Sequence, residues 1–144
     1  TMQLAAYSRQ TFSLGQAAML INETMPDLLV AKVKEEENIQ SLKNRKIGVL
    51  GMAFKPNNDD SRESLSFKLK KILTYEGAIV MCSDVYIDDE TFYEVENLIN
   101  ECEIIFLGCP HDEYLNIEFK NNQKIVDCWG FYQQSFPKIH IHSN

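Results

Sequence analysis

The stretch KIGVLGMAFKPNNDDSRESLSFKLKKILTY, residues 46–75, sets the fold expected for this chain. It opens with a short apolar run that ends in a turn at Gly51, a pattern typical of a buried strand. A polar loop follows, and residues 63–75 then place four apolar side chains three and four positions apart, as on one face of a helix: Leu65, Leu69, Ile72 and Leu73. Strand, loop and helix in this order predict the start of a βαβ unit.

The alternation of strand and helix continues to the end of the chain. Apolar runs at residues 78–82, 103–107 and 124–127 predict three further strands, and residues 91–100 predict another helix. Strands that alternate with helices of this length pair in parallel through right-handed crossovers. We therefore predict a doubly wound, Rossmann-like α/β domain over residues 45–144.

The segment before this domain, residues 1–44, has helical periodicity instead. Pro26 either kinks one long helix or begins a second helix capped by Thr24. A helix of about 25 residues is about 38 Å long, which is more than one small domain covers. We therefore expect its apolar stripe to meet a partner chain or another domain, and predict a dimerisation segment. The stripe consists of Leu14, Ala17, Ala18, Ile21, Leu28, Leu29 and Val33.

The composition narrows the classes of partner. The 144 residues are 44% hydrophobic and 24% charged, which suits a globular domain in water. A net charge of -7 argues against nucleic-acid binding, because phosphate backbones attract basic surfaces. No apolar run approaches the roughly 20 residues that span a bilayer, so no membrane partner is expected.

Cysteine and histidine spacing gives no metal site. The four cysteines form neither a C-x-x-C pair nor a zinc pattern, and we expect reduced, structural thiols in a cytoplasmic protein: Cys82, Cys102, Cys109 and Cys128. Cys109, His111 and Asp112 are too close together on one turn to converge readily on an ion. His111 is instead expected to hydrogen-bond locally or to line a cleft. His140 and His142 are expected in a solvated tail.

The loop after the first strand carries the functional hypothesis. Gly48 and Gly51 lack the third glycine of a dinucleotide fingerprint, so direct dinucleotide binding is weakly supported. Lys55 and Arg62 are suited to phosphate or hydroxyl oxygens at the carboxyl edge of the sheet. The alternative is that residues 59–61 only cap the next helix, with Arg62 pairing to one of the aspartates. Physical reasoning alone leaves both open.

Residues 51–64, GMAFKPNNDDSRES, resemble the motif G-x-A-F-K-x-x-x-x-D-x-R-E-S of the UDP-glucose/GDP-mannose dehydrogenase family. Further segments resemble the family in order and spacing: 14–26 its central helix, 83–85 an aspartate-containing turn, 109–114 its T-x-H-x-E-F segment and 126–127 its closing V-D sequence. The resemblance covers nearly the whole chain and implies the C-terminal third of a nucleotide-sugar 6-dehydrogenase, active as a homodimer.

The resemblance also implies roles for three residues. Phe54 and Lys55 would contact the nucleotide sugar, and Arg62 would reach toward NAD. The family oxidises a sugar C6 hydroxyl to a carboxylate, with two NAD molecules accepting hydride and a cysteine thiolate forming a thioester. That cysteine belongs to a G-G-x-C-x-x-K-D-like segment just before the position of Thr1. None of the cysteines present lies in such a motif, so no catalytic residue is assigned and these residues alone are expected to be inactive.

One departure from the family affects specificity. Where many relatives place an arginine after an aspartate-glycine pair, this chain has Asp127, Cys128 and Trp129. Trp129 would offer a stacking surface or simple rim packing. Two rival functions remain open at this point: a nucleotide-binding module without chemistry, and a purely structural dimerisation unit.

Overall fold

The computed structural model describes residues 13–132, which form a parallel sheet flanked by helices. The strands are β1 (Lys46–Leu50), β2 (Ile79–Ser83), β3 (Ile104–Leu107) and β4 (Lys124–Val126). The helices are α1 (Ser13–Glu36), α2 (Leu65–Tyr75) and α3 (Val95–Glu101), with a 3-10 helix at Asp112–Asn116. His140 and His142 lie outside the described residues.

The sheet has the strand order β2-β1-β3-β4, with every neighbouring pair parallel. The chain runs from β1 outward to β2 and returns to β3 on the opposite side of β1, so the order reverses between β1 and β3. Ligands of open α/β sheets bind beyond the carboxyl ends of the strands at such a reversal. The predicted Rossmann-like, doubly wound fold is confirmed.

The two faces of the sheet bury separate apolar clusters. Ile47 and Val49 of β1 pack with α1 and α2, whereas Leu50 packs on the opposite face with Leu98 and Ile99 of α3. This alternation follows from the two-residue period of a strand. Both faces of β1 are covered, which explains why its sequence is a continuous apolar run.

Helix α1 continues through Pro26 as one helix of 24 residues. The Thr24 hydroxyl donates to the carbonyls of Leu20 and Ile21, at 2.9 and 3.1 Å, rather than capping a second helix. The hypothesis of a second helix beginning at Pro26 is therefore wrong. A proline inside a helix removes one backbone hydrogen bond, and here the helix continues despite that loss.

The two halves of α1 differ in burial. Val30 and Val33 in the C-terminal half are buried in the core against the sheet. In the N-terminal half Leu14, Leu20 and Ile21 are at least 60% exposed, at 76, 66 and 60%. The sheet therefore covers only one end of this helix, as its length predicts.

Ion pairs fix the C-terminal end of α1 to the sheet. Lys124 Nζ lies 3.1 Å from Glu36 Oε2 and 3.0 Å from Glu37 Oε1, with its side chain 14% exposed. Lys34 Nζ lies 2.7 Å from Glu76 Oε2 at the end of α2.

No helix within residues 13–132 combines the length and apolarity needed to cross a membrane.

Candidate functional site

Four connections leave the carboxyl edge of the sheet and form the candidate site. The longest, residues 51–64, follows β1 and carries Phe54 and Lys55, the residues expected to contact a substrate; it is named the substrate loop after that expectation. Asp84 follows β2, His111 follows β3 and Trp129 follows β4. Parallel strands bring the residues after their carboxyl ends to one edge, so side chains far apart in sequence meet there.

The substrate loop begins in close backbone contact with the connection after β3. Gly51 has φ of 87°, and a Cβ at this position would lie 2.2 Å from the carbonyl oxygen of Cys109. A Cβ on Gly108 would lie 2.4 Å from the Gly51 carbonyl oxygen. Only glycine allows both this left-handed conformation and this approach.

Asp84 is a hydrogen-bond acceptor shared by several groups at the carboxyl edge of the sheet, and its side chain is 0% exposed. Its Oδ2 lies 3.1 Å from His111 Nε2. Its two oxygens accept hydrogen bonds from four backbone amides: Met52 at 2.6 Å, Ala53 at 3.0 Å, Tyr86 at 2.8 Å and Ile87 at 3.1 Å. One carboxylate therefore joins the start of the substrate loop to the turn after β2.

The surroundings of Asp84 keep it ionised. Burial by itself raises the pKa of a carboxyl group, but hydrogen bonds from His111 and from the amides of Tyr86 and Met52 outweigh it and lower the pKa of Asp84 below its usual 3.8. A buried carboxylate with this many donors is satisfied rather than orphaned.

His111 is fully buried and uses both ring nitrogens. Its Nδ1 lies 2.9 Å from the backbone nitrogen of Asn57, which can only donate, so Nδ1 carries the lone pair. The proton is then on Nε2, which donates to Asp84. The ring packs between Tyr86 and Tyr114, at centroid distances of 4.9 and 5.2 Å. His111 is therefore a neutral imidazole of defined tautomer.

Asn57 closes the middle of the substrate loop onto the connection after β3. Its Nδ2 donates to Asp112 Oδ2 at 2.8 Å, and the Asp112 amide donates to its Oδ1 at 3.0 Å. The residue has φ of 57°, which asparagine tolerates better than most residues. With the bond to His111, three hydrogen bonds hold this point of the loop.

Phe54 and Lys55, the residues expected to contact a nucleotide sugar, lie between these anchored points. Phe54 is 46% exposed, and Lys55 Nζ lies 5.8 Å from the centroid of its ring. Phe54 also lines an open groove of about 1040 Å³ between the loop, α1 and α2, which Asn22 and Lys68 line as well. The loop thus presents an aromatic face and a cation together.

Arg62 pairs with an aspartate of the same loop. Its Nε and Nη2 donate to the Asp60 carboxylate at 2.8 and 2.7 Å, while the side chain stays 86% exposed. The hydrogen bond from the Arg62 side chain is the main reason that the pKa of Asp60 falls to about 2. The predicted pairing of Arg62 with an aspartate is therefore confirmed.

The alternative in which residues 59–61 cap α2 is wrong. Ser64 is the N-cap, and its hydroxyl oxygen accepts from the Ser66 amide at 3.3 Å. Glu63 has φ of 60°, so the chain cannot enter the helix before Ser64. Ser64 Oγ also donates to the Ala53 carbonyl at 3.2 Å, which joins the end of the substrate loop to its beginning.

Trp129 borders the same edge. Its indole Nε1 donates to the Leu107 carbonyl at 3.2 Å and its side chain is 54% exposed. The buried Asp127 accepts from the amides of Trp129 and Tyr132, at 3.0 and 2.9 Å. The tryptophan is therefore held by the sheet and still offers one face to solvent.

The cysteines within the described chain are all free, and three are buried. Burial raises the pKa of Cys82 and Cys109 to about 11 and that of Cys102 to about 12. These thiols stay protonated at neutral pH, and a thiol is a poor nucleophile.

Residues 13–132 contain no group of three or more His, Cys, Asp or Glu side chains that could hold a metal ion.

Sequence reasoning did not predict how Asp84 and His111 anchor the loop. The partners of the His111 ring lie 54 and 27 positions away, so the hydrogen bonds of this side chain are not local. One signal in the sequence could have indicated this contact: Asp84 and His111 each follow a predicted buried strand by a few residues. Their meeting depends on the strand order, which the sequence alone did not supply.

Comparison with known proteins gives a family match over most of the chain. Residues 48–134 match the family model described as UDP-glucose/GDP-mannose dehydrogenase family, UDP binding domain. UDP-N-acetyl-D-mannosamine dehydrogenase of Methanocaldococcus jannaschii is 30% identical over 115 residues, which are 78% of this chain and 26% of that protein. The putative UDP-glucose 6-dehydrogenase YtcA of Bacillus subtilis is 29% identical over 87% of this chain and 31% of its own length.

Solved structures agree on the fold. A UDP-glucose dehydrogenase from Pyrobaculum islandicum superposes with a TM-score of 0.74 at 26% identity, over 88% of this chain and 31% of that one. UDP-D-ManNAc dehydrogenase from Pyrococcus horikoshii gives the same TM-score at 24% identity and supports the fold alone. This chain spans about a third or less of each of these relatives.

Proposed function

The chain belongs to the UDP-glucose/GDP-mannose dehydrogenase family, and we propose that it forms the substrate-binding part of a UDP-sugar 6-dehydrogenase. In the whole enzyme, the proposed reaction oxidises the sugar C6 hydroxyl to a carboxylate in two steps. NAD supplies the hydride acceptor in each step. Residues 45–144 are the proposed nucleotide-sugar domain and residues 1–44 the dimerisation segment.

The observation that carries this proposal is the anchored substrate loop at the carboxyl edge of the sheet. Phe54 offers a half-exposed ring for stacking, and Lys55 offers an ammonium group suited to diphosphate oxygens. The two are held beside each other on a loop that Asp84 and His111 fix. A preorganised loop loses little conformational entropy on binding, which favours affinity.

Arg62 is the proposed contact to NAD. Its exposed guanidinium group fits an anionic cofactor because arginine binds phosphate bidentately. Asp60 already occupies Nε and Nη2 and thereby holds the side chain in one orientation. The contribution of this chain to NAD is therefore one positioned cation, and the remaining contacts belong to a separate dinucleotide-binding domain of the whole enzyme.

The assembly and location follow from other features. The exposed apolar half of α1 supports a homodimer formed through this helix. The buried thiols suit a reducing compartment, and we place the enzyme in the cytoplasm.

Titration of the chain with UDP tests the binding role. We expect UDP to bind and to shift the NMR signals of Phe54 and Lys55, and Lys55→Gln to weaken binding about tenfold, as expected for loss of one charge-assisted contact. Lys43→Gln is the matched control, since Lys43 is exposed and precedes β1, at the opposite edge of the sheet. Isothermal titration calorimetry measures both affinities.

Three results would contradict the proposal. No binding at millimolar UDP would show that these residues do not form a nucleotide site. Equal weakening by both substitutions would show that only net charge matters, as in non-specific attraction. Inorganic phosphate serves as a second ligand, and binding as tight as that of UDP would exclude recognition of the nucleoside.

A further inference from the structure

We propose that Asp84 and His111 act as a positioning pair for the substrate loop and set where Phe54 and Lys55 point. This inference rests on the proposed function, because it concerns the same site. Neither residue is a substrate contact in this proposal. Each acts through backbone amides of the loop.

The geometry places one anchor on each side of the two binding residues. Asp84 accepts from the amides of Met52 and Ala53, immediately before Phe54. His111 accepts from the amide of Asn57, two residues after Lys55. Phe54 and Lys55 therefore lie on a short span whose two ends are fixed.

The two anchors are also joined to each other, through the hydrogen bond from His111 Nε2 to Asp84 Oδ2 at 3.1 Å. Both side chains are 0% exposed, so water does not compete for these bonds. A displacement of one anchor is thus transmitted to the other. The positions of Phe54 and Lys55 depend on the pair as a unit.

Only one proton arrangement satisfies every contact. Nδ1 of His111 must accept from Asn57, and Nε2 must donate to the Asp84 carboxylate. An N–H at Nδ1 would oppose the Asn57 N–H and remove one of the three hydrogen bonds that hold the far end of the span. The packing of the ring between Tyr86 and Tyr114 prevents it from turning away.

Two substitutions at His111 separate the two bonds. In His111→Gln, the side-chain amide reaches toward Asp84 as a donor and offers no acceptor to Asn57. In His111→Asn, the shorter side chain offers an oxygen near the Nδ1 position and does not reach Asp84. We expect UDP affinity to fall about tenfold or more in His111→Gln and to be partly restored in His111→Asn.

A matched control separates positioning from general destabilisation. Gln123 is buried, and its Nε2 donates to the carbonyls of Ile99 and Cys102, away from the carboxyl edge. Gln123→Met removes buried hydrogen bonds of a similar kind. We expect it to lower the melting temperature and to leave UDP affinity within a factor of about two, because it is remote from the site.

NMR gives a readout that does not depend on UDP binding. Nitrogen spectra of the His111 ring should show an unprotonated Nδ1 and a protonated Nε2, and His111→Gln should shift the amide signals of Phe54 and Lys55. A protonated Nδ1, or a His111→Gln variant that binds UDP as tightly as the unmodified chain, would overturn the positioning role.

The outcomes also distinguish this inference from the function on which it rests. If the unmodified chain does not bind UDP, the proposed function fails. The ring spectrum and the Phe54 and Lys55 signals then still decide whether the pair positions the loop. If His111→Gln does not fold, His111→Asn and the spectrum of the unmodified chain decide the same question.

Discussion

At the scale of single residues, Gly51 shows how the substrate loop is built. It follows β1 with φ of 87° and lies against the backbone of Cys109. Any side chain here meets both an unfavourable backbone conformation and an immovable carbonyl group. Gly130 has a similar φ of 69°, but a Cβ at that position would meet no atom within 4 Å. Comparing substitutions at Gly51 and Gly130 therefore separates the cost of backbone strain from the cost of a steric collision.

We predict that Gly51→Ala destabilises the chain by about 3 kcal/mol or more, since strain and overpacking add. Gly130→Ala is the control and should cost about 1 kcal/mol from strain alone. Urea denaturation followed by circular dichroism measures both free energies of unfolding. Equal effects at the two positions would show that the contact with Cys109 is not important.

Asp60 and Arg62 give a residue-scale prediction on pH. Because the pKa of Asp60 is lowered to about 2, its pairing contributes stability above its usual pKa of 3.8, and this contribution is lost as pH falls toward 2. We expect Asp60 to be mostly ionised at pH 3, and Arg62→Gln to move its titration up toward 3.8. Carbon NMR of the carboxyl group follows both. An unchanged Asp60 titration in Arg62→Gln would refute the pairing. The pairing has only a small effect on stability, because both side chains are exposed to solvent.

At the scale of secondary-structure elements, α1 is divided between a core and an open surface. Val33 is 0% exposed in the cluster that α1 shares with α2 and the sheet. Leu28 lies on the same helix and is 57% exposed. The hydrophobic periodicity of this helix is continuous in the sequence and does not indicate which of its apolar side chains the rest of the fold covers.

We predict that Val33→Ala lowers the free energy of unfolding by about 2 kcal/mol, because it leaves a cavity in the core. Leu28→Ala should change it by less than about 0.5 kcal/mol, as surface substitutions do. Thermal and urea unfolding at a low protein concentration measure both effects without a contribution from association. A large loss in Leu28→Ala under these conditions would mean that this face is covered within one chain.

Element boundaries illustrate a limit of local patterns. Apolar spacing predicted the helix at residues 63–75, but Glu63 has φ of 60° and α2 begins after Ser64. The helix predicted from residue 91 begins at Val95, because the Asp89 carboxylate accepts from the Thr91 amide and hydroxyl in a turn. Side-chain hydrogen bonds of this kind compete with helix formation and leave no periodic signal.

At the scale of the whole molecule, the fold leaves an apolar surface of α1 uncovered and gathers four connections at one sheet edge. The uncovered surface consists of Leu14, Leu20, Ile21 and Leu28 on α1. This apolar stripe is suited to a two-fold dimer, in which it packs against the same stripe of a second copy of the chain. The substrate loop and α1 also line one groove, so the proposed dimer surface and the proposed ligand site are neighbours.

We predict that the chain associates into dimers and that Ile21→Glu raises the dissociation constant at least tenfold, since it places a charge in an apolar interface. Glu35→Gln is the control, because Glu35 is exposed on the same helix beyond this surface. Sedimentation velocity over a range of concentrations measures the association. A monomer at every concentration would contradict the proposed dimer.

The sequence by itself determined the succession of strands and helices along the chain, the parallel pairing of the strands and the family motif around Phe54, Lys55 and Arg62. These are local signals, since periodicity and motif spacing act over a few turns of chain. The tertiary structure decided that α1 continues through Pro26, that Arg62 pairs with Asp60, and that Asp84 and His111 meet behind the substrate loop. The last of these depends on hydrogen bonds across 27 and 54 positions, which form only when the folded sheet brings its carboxyl ends together.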